Sequence, residues 1–305
     1  MKQPRITVIG SINMDLVTET PRVPTIGETV LGTGFSTLPG GKGANQAVAC
    51  ARLGAQVTMV GCVGDDGFGA ELVQRLQEEN VNVDYVEPIT HASTGIASIV
   101  VENGDNSIIV VPGANHAVTP EKVQQAEEAI KQADVVLLQL EIPLPAVAEA
   151  VRIAGKYGVP VVLNPAPAIA LPAELLAGVA VVTPNEYELA IMLNRNPEQT
   201  EDFHELLQMY SGVIMMTKGG DGAYYKQQDG SVVHQPGFQV NVVDTTGAGD
   251  TCNAALAVMI GRGADMAAAV RYAVAASALS VTKFGAQGGM PTEQEVEQFL
   301  GQIKE

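Results

Sequence analysis

Tryptophan is absent, and aromatic residues make up only 4% of the chain. So few rings leave little on which to stack a nucleoside. Basic residues are also scarce: Lys plus Arg number 17 against 34 Asp plus Glu, a formal net charge of −17. No local basic patch offsets this balance, so neither nucleic acid nor a membrane surface is expected as a partner. A small anionic ligand must instead be held by backbone amides, helix N-termini or metal ions. Only three cysteines occur, Cys50, Cys62 and Cys252, with no C-x-x-C pair. That speaks against a disulfide framework and a structural zinc site, and suits small buried residues in a reducing cytoplasm. His91, His116, His204 and His234 lack ligand spacing and read as surface or loop residues. Long apolar runs are missing too. Gly10, Asn13 and Asp15 interrupt the stretch after the charged start, and Glu141 and Arg271 break later ones. Neither a signal peptide nor a membrane span is expected, and the location expected is cytoplasmic.

What remains is a 305-residue chain that is 46% hydrophobic and 17% charged, enough to build a sizeable core. Short apolar runs alternate with helix-like segments, which predicts βα units around a largely parallel sheet. Strands are expected at Ile6–Ile9, Val57–Val60, Val135–Leu140, Val161–Leu163, Val179–Val182 and Val213–Thr217. Their near-continuous Val, Ile and Leu content suits burial on both faces. Helices are expected at Ala44–Leu53, Gly69–Glu79, Pro120–Gln132, Pro145–Tyr157 and Pro184–Leu193. Thr119-Pro120-Glu121 offers an N-cap, a proline and a first-turn acid, and Thr292 to Glu295 has capping-box spacing. Two regions, 13–38 and 92–111, break the rhythm with extended segments and no helix between them. The second reads as a hairpin turning at Asn103-Gly104-Asp105-Asn106. The expected fold is therefore α/β, with residues 1–12, 39–91 and 112–305 forming the main domain and the two extended regions a small β lid.

Four motifs can carry chemistry. Asp244-Thr245-Thr246-Gly247-Ala248-Gly249-Asp250 precedes an Ala-rich helix, whose free N–H groups and positive end suit an anion. An acid beside such an anion hole makes sense if Asp250 takes a proton from a hydroxyl that attacks phosphate. The bland alternative is a glycine turn with Asp250 as an N-cap. Gly40-Gly41-Lys42-Gly43-Ala44-Asn45-Gln46 opens another helix, with Asn45 suited to polyol hydroxyls; it is not a Walker A loop, because Gly43 follows Lys42. Gly10 to Asp15 comes after the first strand, at the sheet edge where ligands of open α/β sheets bind, and Glu141 falls at the same edge. Asn185 and Glu188 share a helix face and could organise hydrated magnesium, or simply cap the helix.

G-G-K-G-A-N, N-x-x-E and D-T-T-G-A-G-D, in that order, resemble the ribokinase family of sugar kinases, and the likeness runs essentially end to end. G-S-I-N-M-D at Gly10–Asp15, Q-L-E-I-P at Gln139–Pro143, N-P-A-P-A at Asn164–Ala168 and G-A-N at Gly113–Asn115 extend it. The resemblance implies a Rossmann-like α/β domain flanked by helices, with a β lid shared across a homodimer. It implies ATP-dependent phosphorylation of D-ribose at the 5-hydroxyl, with Mg2+ and an activating K+. By the same resemblance Asn13, Met14, Asp15, Gly41, Lys42, Gly43, Ala44, Asn45 and Glu141 face the sugar. Asp250 is the base, and Gly247, Ala248 and Gly249 form the anion hole. Thr217, Lys218, Gly219, Gly220, Asp221, Gly222 and Val274, with Asn185, belong to the ATP site, and Glu188 to the magnesium region. Asp244, Thr246, Ser280, Lys283, Gly285 and Gly289 form the monovalent-cation loop. Three departures stand out: Val274 replaces a frequent polar residue near adenine, Cys252 replaces a usual Phe, and 194–212 is short. A sister kinase for another sugar or nucleoside would alter Asn13, Asp15 or the lid, and a non-catalytic sugar sensor would have no need of Asp250.

Overall fold

The computed structural model describes residues 2–102, 105–199, 203–227 and 229–303. Six strands form one all-parallel sheet in the spatial order Val181–Val182, Val161–Leu163, Val135–Leu138, Arg5–Ile9, Gln56–Gly64 and Val81–Ile89. Alternate side chains enter the two cores on either face, as the two-residue period of a strand requires. Ile6, Val8, Val135 and Leu137 pack beneath helices Lys42–Arg52, Ala248–Gly261 and Met266–Ser280. Ile9, Val136 and Leu138 meet helix Leu144–Tyr157 on the other side. This is the α/β architecture expected from the apolar runs.

Several elements depart in detail. Val81–Ile89 is a strand that the apolar pattern does not predict, because Asn82, Asp84 and Glu87 interrupt its apolar residues. An edge position explains both its polarity and its tolerance of Pro88. The single helix expected over 120–132 is two, Pro120–Gln125 and Glu127–Gln132, divided at Ala126. Val213–Thr217 contributes Met215–Thr217 to a small antiparallel sheet with Gly222–Lys226 and Val232–Pro236, and an isolated bridge from Ile214 to Val182 links this segment to the main sheet. The helix Met266–Ser280, capped by the Asp265 side chain, is a further element beyond those expected. Within 194–212 lie a 3-10 turn, Pro197–Gln199, and the helix Phe203–Met209, with 200–202 outside the described residues.

A separate four-stranded sheet has the order Gly34–Gly40, Asn13–Glu19, Gly95–Glu102 and Asp105–Val111. Its hairpin pairs Ile96 with Val111 and Glu102 with Asp105; Asn103 and Gly104 of the expected turn lie outside the described residues. All three cysteines are buried and free. Among the described residues no helix is long and apolar enough to cross a membrane.

Candidate active site

The glycine motifs meet at the carboxyl edge of the parallel sheet. Helix Ala248–Gly261 starts after Gly247, whose φ of 78° puts it in the left-handed region. A Cβ there would also stand 2.9 Å from Ala286 Cα. Gly247, not Asp250, is the cap residue, so Asp250 sits inside the first turn. The Gly249 and Asp250 amides find no acceptor among the described residues, while the Thr251 amide already donates to Gly247 O at 2.9 Å. Asp250 is 8% exposed. Its Oδ2 accepts from Asn45 Nδ2 at 3.0 Å and its Oδ1 from Gln46 Nε2 at 3.0 Å.

Asp250 lines a cavity of about 180 Å³ with Lys42, Asn185, Glu188, Gly247 and Gly249, joined by Asn164, Thr183 and Asn253. Burial works against the charge of Lys42, but the carboxylates of Asp250, Glu141 and Glu188 outweigh it and hold the ammonium pKa above its ordinary value. Asn185 and Glu188 form a capping box: each side chain accepts from the other's amide, at 2.8 Å both ways. Burial raises the Glu188 carboxyl, against the Asn185 amide and Lys42, which pull it down. Capping and cavity lining are thus done by the same two residues.

On the sugar side, Asn13 and Asp15 alternate along one strand and share a face. Asn13 Oδ1 accepts from Asn115 Nδ2 at 2.7 Å, and the same Asn115 holds the Ile12 amide at 2.9 Å. Glu141 Oε2 accepts from Ser11 Oγ at 2.5 Å and from the Lys42 amide at 3.0 Å, bracketing two glycine loops together. A Cβ on Gly43 would lie 2.6 Å from Ser11 N, so those loops touch only because the residue is glycine. Burial, then the charges of Glu141 and Asp250, push the Asp15 carboxyl up to about 7. Met14 and Ala44 instead place their side chains in the hydrophobic core.

A second cleft, of about 280 Å³, adjoins the helix start. Thr217, Gly219, Gly220, Gly222, Ala248, Gly249 and Val274 line it, together with Cys252 and the loop residues Phe238, Val240 and Val242. Lys218 and Asp221 lie outside its walls: they pair with each other at 3.3 Å, Asp221 takes the Tyr224 hydroxyl at 3.0 Å, and Lys218 Nζ stands 4.4 Å above the Phe203 ring. Beyond the cleft, Asp244 Oδ1 accepts from the Thr246 amide at 2.9 Å and hydroxyl at 2.7 Å, and Oδ2 from the Gly285 amide at 2.9 Å. Burial opposes ionisation of Asp244, yet these three bonds hold its carboxyl below the usual range. Ser280 is buried, and its carbonyl oxygen is the first atom a Cβ on Gly289 would strike. Lys283 turns its ammonium to Glu295 at 3.1 Å, which leaves only its backbone for the loop.

The family model for pfkB family carbohydrate kinases matches residues 3–293. The chain belongs to this family. It is 50% identical over 295 residues to the ribokinase of Bacillus subtilis (strain 168), covering 97% of this chain and 99% of that protein. It is also 38% identical over 302 residues to the deoxyribokinase of Salmonella typhimurium, covering 97% and 98% respectively. The structure of Arabidopsis thaliana ribokinase complexed with ribose and ATP is similar, with a TM-score of 0.91 and 34% identity over 99% of this chain and 100% of that one.

In this pfkB kinase, several residues beside the site are given no role by the motifs. Gln46 is adjacent to Asn45, and Asn253 stands three positions beyond Asp250, one helical turn along the same wall. Asn164 and Asn115 belong to the N-P-A-P-A and G-A-N segments, neither of which carries a chemical signal for a role. Nothing in the sequence pattern marks 237–242 as a cleft wall, since a loop has no period to read.

Proposed function

We propose that this carbohydrate kinase transfers the γ-phosphoryl group of ATP to the 5-hydroxyl of D-ribose, giving D-ribose 5-phosphate. The observation that carries the reading is Asp250: one buried carboxylate between a face of sugar-type hydrogen-bonding groups and a helix start with free amides. Asp250 takes the proton as the hydroxyl oxygen forms its bond to phosphorus, and the bond from phosphorus to the ADP oxygen breaks. The Gly247 and Gly249 amides stabilise charge on the transferring group, whereas the Ala248 amide already donates to Thr245 O at 3.2 Å. Asn13, Asp15 and Asn45 hold ribose hydroxyls. The Thr217–Gly222 segment and Val274 receive the nucleotide, with adenine held by packing.

The donor set at Asn185 and Glu188 fits magnesium: hard oxygens in the cavity that holds Asp250, with one Glu188 oxygen still unassigned. Bound there beside the phosphates, magnesium supplies positive charge that the chain's own composition lacks. The carbonyls of Ser280 and Lys283 and the flexible glycines of 285–289 suit a potassium ion rather than a divalent one. Residues 13–38 and 92–111 act as a lid on the rest, closing over ribose to exclude water, and two copies of the lid join in a homodimer. Cytoplasmic ribose use fits this chemistry.

The deoxyribokinase relative supports a second reading, a kinase of 2-deoxyribose. A coupled assay with ribose, 2-deoxyribose, fructose and adenosine separates the two. Ribose is expected to give the highest kcat/KM, because a site built to bind a hydroxyl is left with unpaired polar groups when it is missing. A higher value for 2-deoxyribose would transfer the assignment. Asp250→Asn is expected to lower turnover about a hundredfold or more while ribose binding survives in part.

A further inference from the structure

Two chains of amides converge on the Asp250 carboxylate. On Oδ1 the donor is Gln46, whose Oε1 in turn accepts from Gln139 Nε2 at 2.6 Å. On Oδ2 the donor is Asn45, whose Oδ1 accepts from Gln287 Nε2 at 3.0 Å. The first chain comes from the sheet and the helix beneath it. The second ends on a different kind of element, the short turn Ala286–Gly289, where Gln287 is 9% exposed.

An ionised carboxylate only accepts hydrogen bonds, while an amide has one oxygen and one nitrogen end. Facing an acceptor-only carboxylate, Asn45 presents its nitrogen to Asp250, which leaves its oxygen to take the Gln287 donor. The loop is also fixed from behind. Arg52 donates through Nη1 to the carbonyls of Gln287 at 2.5 Å and Met290 at 3.2 Å, and its own guanidinium is paired with Glu79. Arg52 and Asn45 stand at the two ends of helix Lys42–Arg52, so one rigid element holds the loop at two points.

We propose that Gln287 is a positioning residue for the phosphoryl-transfer base: by donating to the Asn45 oxygen it holds that amide in place, and through it the rotation of the Asp250 carboxylate. The proposal deepens the kinase reading and rests on Asp250 acting as the base. It gives the 285–289 loop a route to the reacting centre that is separate from the anion hole.

The test compares Gln287→Met and Gln287→Glu with Asp250→Asn, measuring kcat, KM for ATP and the thermal midpoint. Methionine keeps length and packing but donates nothing; turnover is expected to fall about tenfold. Glutamate keeps the shape but turns Asn45 around to donate to it, aiming the Asn45 oxygen at Asp250. Turnover is expected to fall about a hundredfold, with KM for ATP within about twofold of wild type and the midpoint within about 2 °C. A merely structural glutamine would show its loss in the midpoint, which a buried glutamate would lower more than methionine, with turnover of the folded enzyme largely kept. Turnover of Gln287→Glu equal to or above that of Gln287→Met, with Asp250→Asn inactive, overturns the proposal alone. If Gln287→Glu does not fold, wild-type turnover in Gln287→Met overturns it. Near-normal turnover in Asp250→Asn removes the base and this role together.

Discussion

Burial, with the charges of Glu141 and Asp250, pushes the Asp15 carboxyl up to about 7. In the unfolded chain it ionises near 3.8, so the fold favours its protonated form. Its contribution to stability is present below about pH 4 and is lost as pH rises through about 7. A ribose hydroxyl donating to Asp15 is held more strongly by the ionised form, so sugar binding in the proposed pose works in the opposite sense and favours release of a proton. Ribose affinity is therefore expected to weaken as pH falls below about 7, with proton release seen by calorimetry in buffers of different ionisation enthalpy. Asp15→Asn should flatten that dependence; affinity constant from about pH 5.5 to 8 in the parent enzyme would contradict it. Asn45 and Asp250 are legible in the sequence because glycines open the helices that carry them, and Asp15 because it follows the first strand. Asn115 and Gln287 are not, because their role is to orient another amide, and such a role depends on a contact between distant segments.

At the level of elements, buried parallel strands announce themselves as unbroken Val, Ile and Leu runs, and Val161–Leu163 appears with the bounds the run predicts. Val81–Ile89, at the edge, has no such run, and Met266–Ser280 is so uniformly Ala-rich that no face stands out. The turn at 285–289 is read from sequence only as flexible glycine. Its packing is what matters: Gly285 holds Asp244, and Ala286 sits against Gly247 at the helix start. A potassium ion ordering this turn acts on both neighbours at once. Activation by potassium over sodium is expected, seen mainly in kcat. Equal activity in buffer depleted of all monovalent metal cations would refute it. Gly247→Ala, strained at φ 78° and pressed on Ala286, should blunt the response.

Across the whole molecule, the four-stranded sheet leaves its outer strand Asp105–Val111 exposed along its length, with Ile109 at 69%, and Phe35 on the opposite edge strand is also 69% exposed. An apolar edge strand of this kind invites pairing with another chain. The proposed homodimer through the lid covers it. Ile109→Lys is expected to shift the protein to monomer in sedimentation at micromolar concentration and to raise KM for ribose more than KM for ATP. A parent protein that sediments as a monomer would set the lid dimer aside.

The groups proposed to face sugar hydroxyls, Asn13, Asp15, Asn45 and Glu141, all come from the first half of the chain, while Asn185, the 217–222 segment and the 244–289 loops come from the second. The two halves meet at Asp250 through Asn45 and Gln46, and again at the 286–290 turn through Asn45 and Arg52. Heredity can therefore work on them separately. On the proposed roles, point changes early in the gene would retune which sugar is accepted and leave the nucleotide cleft alone, provided the contacts across this seam persist. An ancestor of this shape needs few steps to serve a new pentose, which is one physical route by which a single scaffold diversifies into kinases of related sugars.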